Sequence, residues 1–225
     1  KDPTDDIEGY DAGRKTSILA SIAFGRHIRP EEIHTEGITG VTVEDAAYAS
    51  DFDCEIKLLG RAERNADGKI NAMVSPVFVK RDRLIAGVNG VFNALCVTGE
   101  KTGEIMLYGQ GAGKNAPAAA VMNDVLDCAR DKAFTPVYSW ERGDGDEIAD
   151  YTENETRLYI RGYSKNKEAS LTEIREGFGG VRVLSRENAP ENETAFVTGA
   201  DKEGTLREIL AGIRDFVPAS VIRIY

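Results

Sequence analysis

The chain has 225 residues, 41% of them hydrophobic and 29% charged, a balance that suits a globular protein of one large or two small domains. Its formal net charge of −10 argues against nucleic acid or an anionic membrane surface as a main partner, because both attract basic patches. No apolar run approaches the roughly 18–20 residues of a membrane span, and Cys54, Cys96 and Cys128, odd in number and without metal spacing, suit free thiols in a reducing cytoplasm.

The first predicted element lies in "DDIEGYDAGRKTSILASIAFG" at 5–25. A helix is expected to start near Gly9–Tyr10, with Ile18, Leu19, Ile22 and Ala23 at the three-and-four spacing of one apolar face. Asp11 and Lys15, four apart, then share a face and can pair. His27 and His34 straddle the end of this helix; with no cysteine nearby, no metal site is expected there. A second helix follows, with Thr42 as its N-cap and Glu44 and Asp45 in the first turn. "CEIKLLGRAER" and "GKINAMVSPVFVK" read as strands joined by a turn at Asp67–Gly68. "VFNALCVTGEKTGEIMLYG" reads as two more, turning over Gly99–Gly103, and an Ala-rich helix is expected over 114–131.

Residues 132–154 are polar and acidic and read as a linker between a first domain, 1–131, and a tail, 155–225. The tail has the order β-α-β-β-α-β, with apolar helix faces at Leu171, Ile174, Phe178 and at Leu206, Ile209, Leu210, Ile213. The fold class is therefore α+β, a helix-covered and mostly antiparallel sheet followed by a small ferredoxin-like βαββαβ unit. "GQGAGK" fails both common phosphate-loop patterns. Position 108 is Tyr and position 115 Asn, where a Walker loop needs Gly and Ser or Thr, and Lys114 replaces the last Gly of G-x-G-x-x-G.

"DPTDDIEGYDAGRK" resembles the substrate-site signature of homoserine dehydrogenases in register at Asp2, Pro3, Asp6, Gly9, Asp11 and Lys15. "GVNGVFNALCVTG" and "YGQGAGKNAPAAAVMNDV" resemble that family's next two signatures, in order, and the tail resembles its ACT regulatory domain. The resemblance implies reduction of L-aspartate 4-semialdehyde to L-homoserine with NADP or NAD, on the route to threonine, methionine and isoleucine. It implies Lys15 and Asp11 as catalytic residues and Asp6 and Gly9 as substrate-binding. Gly109, Gly111 and Gly113 become candidates to approach the dinucleotide, with the alternative of a plain tight turn before a helix. A cytoplasmic homodimer or homotetramer is expected on the same grounds.

Two departures shape the expectations. Nothing before residue 5 can form the strand, glycine turn and helix of a dinucleotide-binding unit, so the chain is expected to be part of a longer enzyme and inactive alone. The ACT-like turn "SKNKEAS" at 164–170 carries no Gly, so a structural or dimer-forming tail is weighed against an amino-acid effector site. The alternative to an enzyme fragment is a non-catalytic amino-acid-sensing or oligomerisation module.

Overall fold

The computed structural model describes residues 2–111, 113–130, 141–142 and 147–225. They form two compact units, Lys1–Lys80 with Trp140–Tyr225, and Arg81–Ser139. The chain thus divides at other positions than 131 and 155.

In the first unit, the short helix α1 (Thr4–Ile7) leads into α2 (Tyr10–Phe24), capped at both ends by glycines with positive φ, Gly9 and Gly25. Strand β1 (Arg26–His27) and β2 (His34–Thr35) follow, then α3 (Val43–Asp51), with extended Thr42 as its N-cap. Strands β3 (Cys54–Arg64) and β4 (Ile70–Lys80) form the long antiparallel hairpin that alternation predicts. The second unit is a hairpin of β5 (Phe92–Gly99) and β6 (Gly103–Gln110), then α4 (Asn115–Arg130). Among its described residues Ala86 alone is buried.

Back in the first unit, β7 (Glu141–Arg142) pairs with β1, and Ile148 bridges Ile70. Of the expected linker, 141–142 thus form a small two-stranded sheet with β1 and Ile148 is tied to β4; 132–140 and 143–146 lie outside the described residues. The tail then runs β8 (Glu155–Ser164), α5 (Lys167–Phe178), β9 (Val181–Leu184), β10 (Glu193–Thr198), β11 (Asp201–Lys202), α6 (Glu203–Gly212) and β12 (Phe216–Ile224). Its strand order, β12-β8-β10-β9, is antiparallel throughout, as a ferredoxin-like unit requires.

That small sheet does not stand apart. β12 lies parallel to β4 through Arg223 and Ile224 opposite Val77 and Phe78, so the tail and the first eighty residues build one mixed eight-stranded sheet. Pairing closes a core on both faces of the tail strands. On one, Tyr48 of α3 and Phe52 at its C-cap pack with Phe78, Tyr159 and Ile222. On the other, Ile174 of α5 and Leu206 and Leu210 of α6 pack with Leu158, Ile160 and Phe196. The polar and acidic composition of 132–154 reports a loop on the chain path, not which strands pair across it.

The burial of α2 reverses the expected face. Gly13, Thr16, Ser17, Ala20 and Ser21 are turned inward, while Ile18, Leu19 and Ile22 are exposed. Small residues let the helix lie close to the sheet, and its buried hydroxyls have partners. Ser17 donates to the Ile28 carbonyl at 2.9 Å, Ser21 donates to the Ser17 carbonyl at 2.7 Å, and Ser21 accepts from the Ile28 N–H at 2.9 Å. The apolar contact comes instead from Ala20, Ile28, Ile33 and Val74.

Candidate active site

The start of α2 is set by steric demand. Gly9 is left-handed, φ +80°, and a methyl there would meet Thr35, the Glu36 carbonyl and Val74 at 3.2–3.3 Å. One turn on, Asp11 and Lys15 pair, Nζ to Oδ2 2.5 Å, with side chains 43% and 59% exposed. Lys15 shares its face with Ile18, Leu19 and Ile22 by the same spacing, so the pair sits at the head of the exposed apolar stripe. Asp6, in the single turn of α1, is exposed and has no protein partner for its carboxylate among the described residues. A second pair, Arg14 with Asp5 at 3.3 Å, links α1 to α2. The structure thus brings Asp11 to Lys15, sets Gly9 beneath them as a turn, and leaves Asp6 open to solvent.

The floor under this turn is the segment after β2. The Ile38 N–H donates to the Ile7 carbonyl at 2.7 Å, and the Glu36 N–H donates to the Val74 carbonyl at 2.8 Å. Gly37 lies so close that a methyl there would fall 2.6 Å from Glu8 Cα. Below the floor, Glu36 takes two hydrogen bonds from Arg223, at 2.7 and 2.8 Å, and a third contact from His34 Nε2 at 2.7 Å. Arg223 also donates to both oxygens of Glu203, at 2.7 and 2.6 Å, and Arg207 donates to Glu203 at 2.8 Å. His34 stacks on Tyr151, ring centroids 3.7 Å apart. Burial opposes the charge on Glu36, but the hydrogen bonds from Arg223 and then His34 overcome it, holding the carboxyl far below the usual carboxylate range.

A comparable node fixes α3. Asp45 accepts from Arg161 Nε at 2.8 Å, from Tyr159 Oη at 2.9 Å and from the Thr42 N–H at 3.0 Å, while Glu193 takes Tyr48 and Arg186. Burial pushes the Tyr48 hydroxyl up to about 12, with Glu193 adding to the effect. Sequence reading missed Glu36, Arg223, Asp45 and Arg161 as a set. The available signal was the lone Arg in "SVIRIY" and in "LYIRGY": a cation inside a strand apolar on both sides must be buried with carboxylates.

The three candidate cofactor glycines lie in the second unit. Gly109 pairs with Asn93 one residue before the end of β6, and a methyl on it would meet nothing within 4 Å. Gly113 has φ +115° and equally open space. Gly111 is closed: the Asn93 side chain fills the place of a Cβ, and its N–H donates to the Val91 carbonyl at 3.0 Å.

A cavity of about 330 Å³ lies elsewhere in the first unit, lined by polar groups that include Arg61, Glu63, Asn71, Asn154, Glu203 and Arg223. Lys15 is not part of it. Among the described residues no three His, Cys, Asp or Glu side chains are grouped to hold a metal ion, and no helix is long and apolar enough to cross a membrane.

A family model described as homoserine dehydrogenase matches residues 1–126. The homoserine dehydrogenase of Corynebacterium glutamicum is 36% identical over 210 residues, 87% of this chain and 46% of that protein. That of Synechocystis is 34% identical over 192 residues, 81% of this chain and 44% of its own length. The chain spans about half the length of such relatives. Among solved structures, a homoserine dehydrogenase from Thiobacillus denitrificans superposes with TM-score 0.84 at 30% identity, covering 100% of this chain and 55% of that one. One from S. aureus gives 0.79 at 26% identity, with the same coverage. With more than half its residues matched by the family model, this chain belongs to the homoserine dehydrogenase family.

Proposed function

We propose that this chain is the substrate-binding and C-terminal part of an enzyme that reduces L-aspartate 4-semialdehyde to L-homoserine with NADPH or NADH. The observation that carries the reading is the Asp11–Lys15 pair at the head of α2, on a turn pinned by Gly9 and Gly37. Reduction of an aldehyde places negative charge on its oxygen and demands a proton there; an ammonium group supplies both stabilisation and proton. Lys15 is the proton donor in this reading and Asp11 the group that aims it. Asp6, whose carboxylate has no protein partner among the described residues, is the acidic contact for the substrate's α-ammonium. Gly9 lets the backbone come close.

The dinucleotide supplies the hydride when bound. The open backbone at Gly109 and Gly113 fits the approach of such a group, while Gly111 serves the turn by packing on Asn93. Exposure of Lys15 together with Ile18, Leu19 and Ile22 fits a site completed by a further protein surface laid over this stripe. The enzyme is read as a cytoplasmic homodimer or homotetramer; the three free cysteines fit the reducing compartment in that reading and do not bear on the assembly.

The tail is read as an ACT-like module with a structural part to play. Asn166 caps α5 by accepting from the Ala169 N–H at 3.1 Å, which occupies one of the donors that an effector carboxylate would need. Calorimetry with threonine is expected to show no saturable heat; a clear binding isotherm would make the tail a sensor.

The competing reading, an oligomerisation module, treats Asp11–Lys15 as a solvated surface pair of the ordinary kind. Lys15→Ala in the enzyme that contains this chain separates the two. A fall in semialdehyde reduction of about 100-fold or more is expected, and an unchanged rate would leave only the module.

A further inference from the structure

The Asp11–Lys15 pair does not rest on its own helix alone. Its turn presses on residues 35–38, through Thr35 and the Glu36 carbonyl beneath Gly9 and through Gly37 beneath Ile7 and Glu8. Those floor residues are held from below by a carboxylate, Glu36, whose partner Arg223 stands on β12, 187 residues away along the chain. Arg223 is in turn clamped by Glu203, the first residue of α6, and both are buried, at 5% and 0% exposed. A four-bonded guanidinium between two carboxylates has one geometry, set by its planar fork. The backbone atoms of Glu36 and the Ile7–Ile38 hydrogen bond then sit at fixed height over it.

We propose that Glu36 and Arg223 are positioning residues for the reaction at Lys15, so that the C-terminal strand and the start of α6 hold the substrate turn in register. This rests on the reading of Lys15 as the proton donor. Loss of Glu36 strips two of the four hydrogen bonds from the buried Arg223 guanidinium, and loss of Arg223 leaves the half-buried Glu36 with His34 as its close partner; the floor segment then shifts to let water reach the bonds left open. The turn moves with it, because no slack separates Gly37 from Glu8. A displacement of about 1 Å at a reacting group is enough to cost on the order of 100-fold in rate.

The test uses the full-length enzyme with Lys15→Ala, Glu36→Gln, Arg223→Met, Arg223→Lys and the Glu36→Gln/Arg223→Met pair, each assayed well below its own melting temperature. Glu36→Gln and Arg223→Met are expected to lower kcat/KM for aspartate semialdehyde by 10-fold or more while KM for the nicotinamide cofactor stays within twofold. The double variant is expected to lose no more than the worse single, since the two act as one strut. Arg223→Lys, which keeps the charge without the fork, is expected to recover only part of the rate. Should Arg223→Met fail to fold, Glu36→Gln, which keeps the shape and drops only the charge, decides the matter. Folded variants with kcat/KM within twofold of the parent, or single effects that multiply in the double, would overturn the proposal. Lys15→Ala at full rate would instead remove the reading beneath it, so the two failures are told apart.

Discussion

In the first unit Phe78, Tyr159 and Phe196 are fully buried between helices on both sides of a sheet whose neighbours come from distant parts of the chain. In the second unit the described strand pairing is the β5–β6 hairpin, and Val121, Met122, Val125 and Leu126 on α4 are all exposed. The contrast teaches where cooperativity resides. Long-range pairing that buries three apolar clusters and two ionic nodes makes the first unit a single folding body. A two-stranded hairpin and one helix, with Ala86 the single buried residue among those described in the unit, have little core of their own to hold them.

The sharpest way to break this comparison is by truncation. Phe196→Ala is expected to cost about 3–5 kcal/mol in urea unfolding, the usual loss for an aromatic in a closed core, whereas Val125→Ala on α4 should stay within about 0.5 kcal/mol. Equal losses would mean that α4 carries a core of its own. A smaller effect separates two glycines. Gly37→Ala drives a methyl against Ile7 and Glu8 and is expected to cost about 1–3 kcal/mol, as overpacking does, while Gly109→Ala meets open space and should cost less than 1. If both behave alike, the tight floor beneath α1 is not under compression.

The gentlest test is acid. Glu36, Asp45 and Glu193 are all held below the ordinary carboxylate range; in each, burial works the other way and is overcome by hydrogen bonds, chiefly from Arg223, Arg161 and Arg186 respectively. Their folded values are depressed, so the stability they confer is complete above the unfolded carboxyl range, near pH 4.5, and is lost as pH falls through the folded values. The melting temperature of the first unit is therefore expected to decline steadily from about pH 4.5 downward, and Glu36→Gln should flatten part of that slope. A melting curve indifferent to pH over this range would show that the nodes are already broken.

Much of the fold was legible. Alternation placed the β3–β4 hairpin to the residue or nearly so, Thr42 marked the start of α3, and the tail gave its βαββαβ order from periodicity and turn residues. Strand periodicity is a local property, and local properties survive in sequence. The face of α2 was not legible, because Ser17 and Ser21 satisfy their hydroxyls on nearby backbone and so pass as interior residues. Nor was the parallel contact of β12 with β4, whose two paired residues on each side carry no local mark of the partner. The Asp11–Lys15 spacing was legible as a pair. The proposed footing on Glu36 and Arg223 was not, since the Arg in "SVIRIY" signals a buried cation but nothing local names a carboxylate 187 residues away as its partner.

The position of β12, wedged between β4 and β8, bears on how the protein is made. During synthesis β4 leaves the ribosome with one flank incomplete, and β8 follows it the same way. β8 gains β12, and β4, already paired with β3 and β2, gains partners for Val77 and Phe78, only when residues 216–224 emerge. Until then these strands keep unsatisfied edge groups, and a chain that lacks residues 216–224 cannot close this sheet.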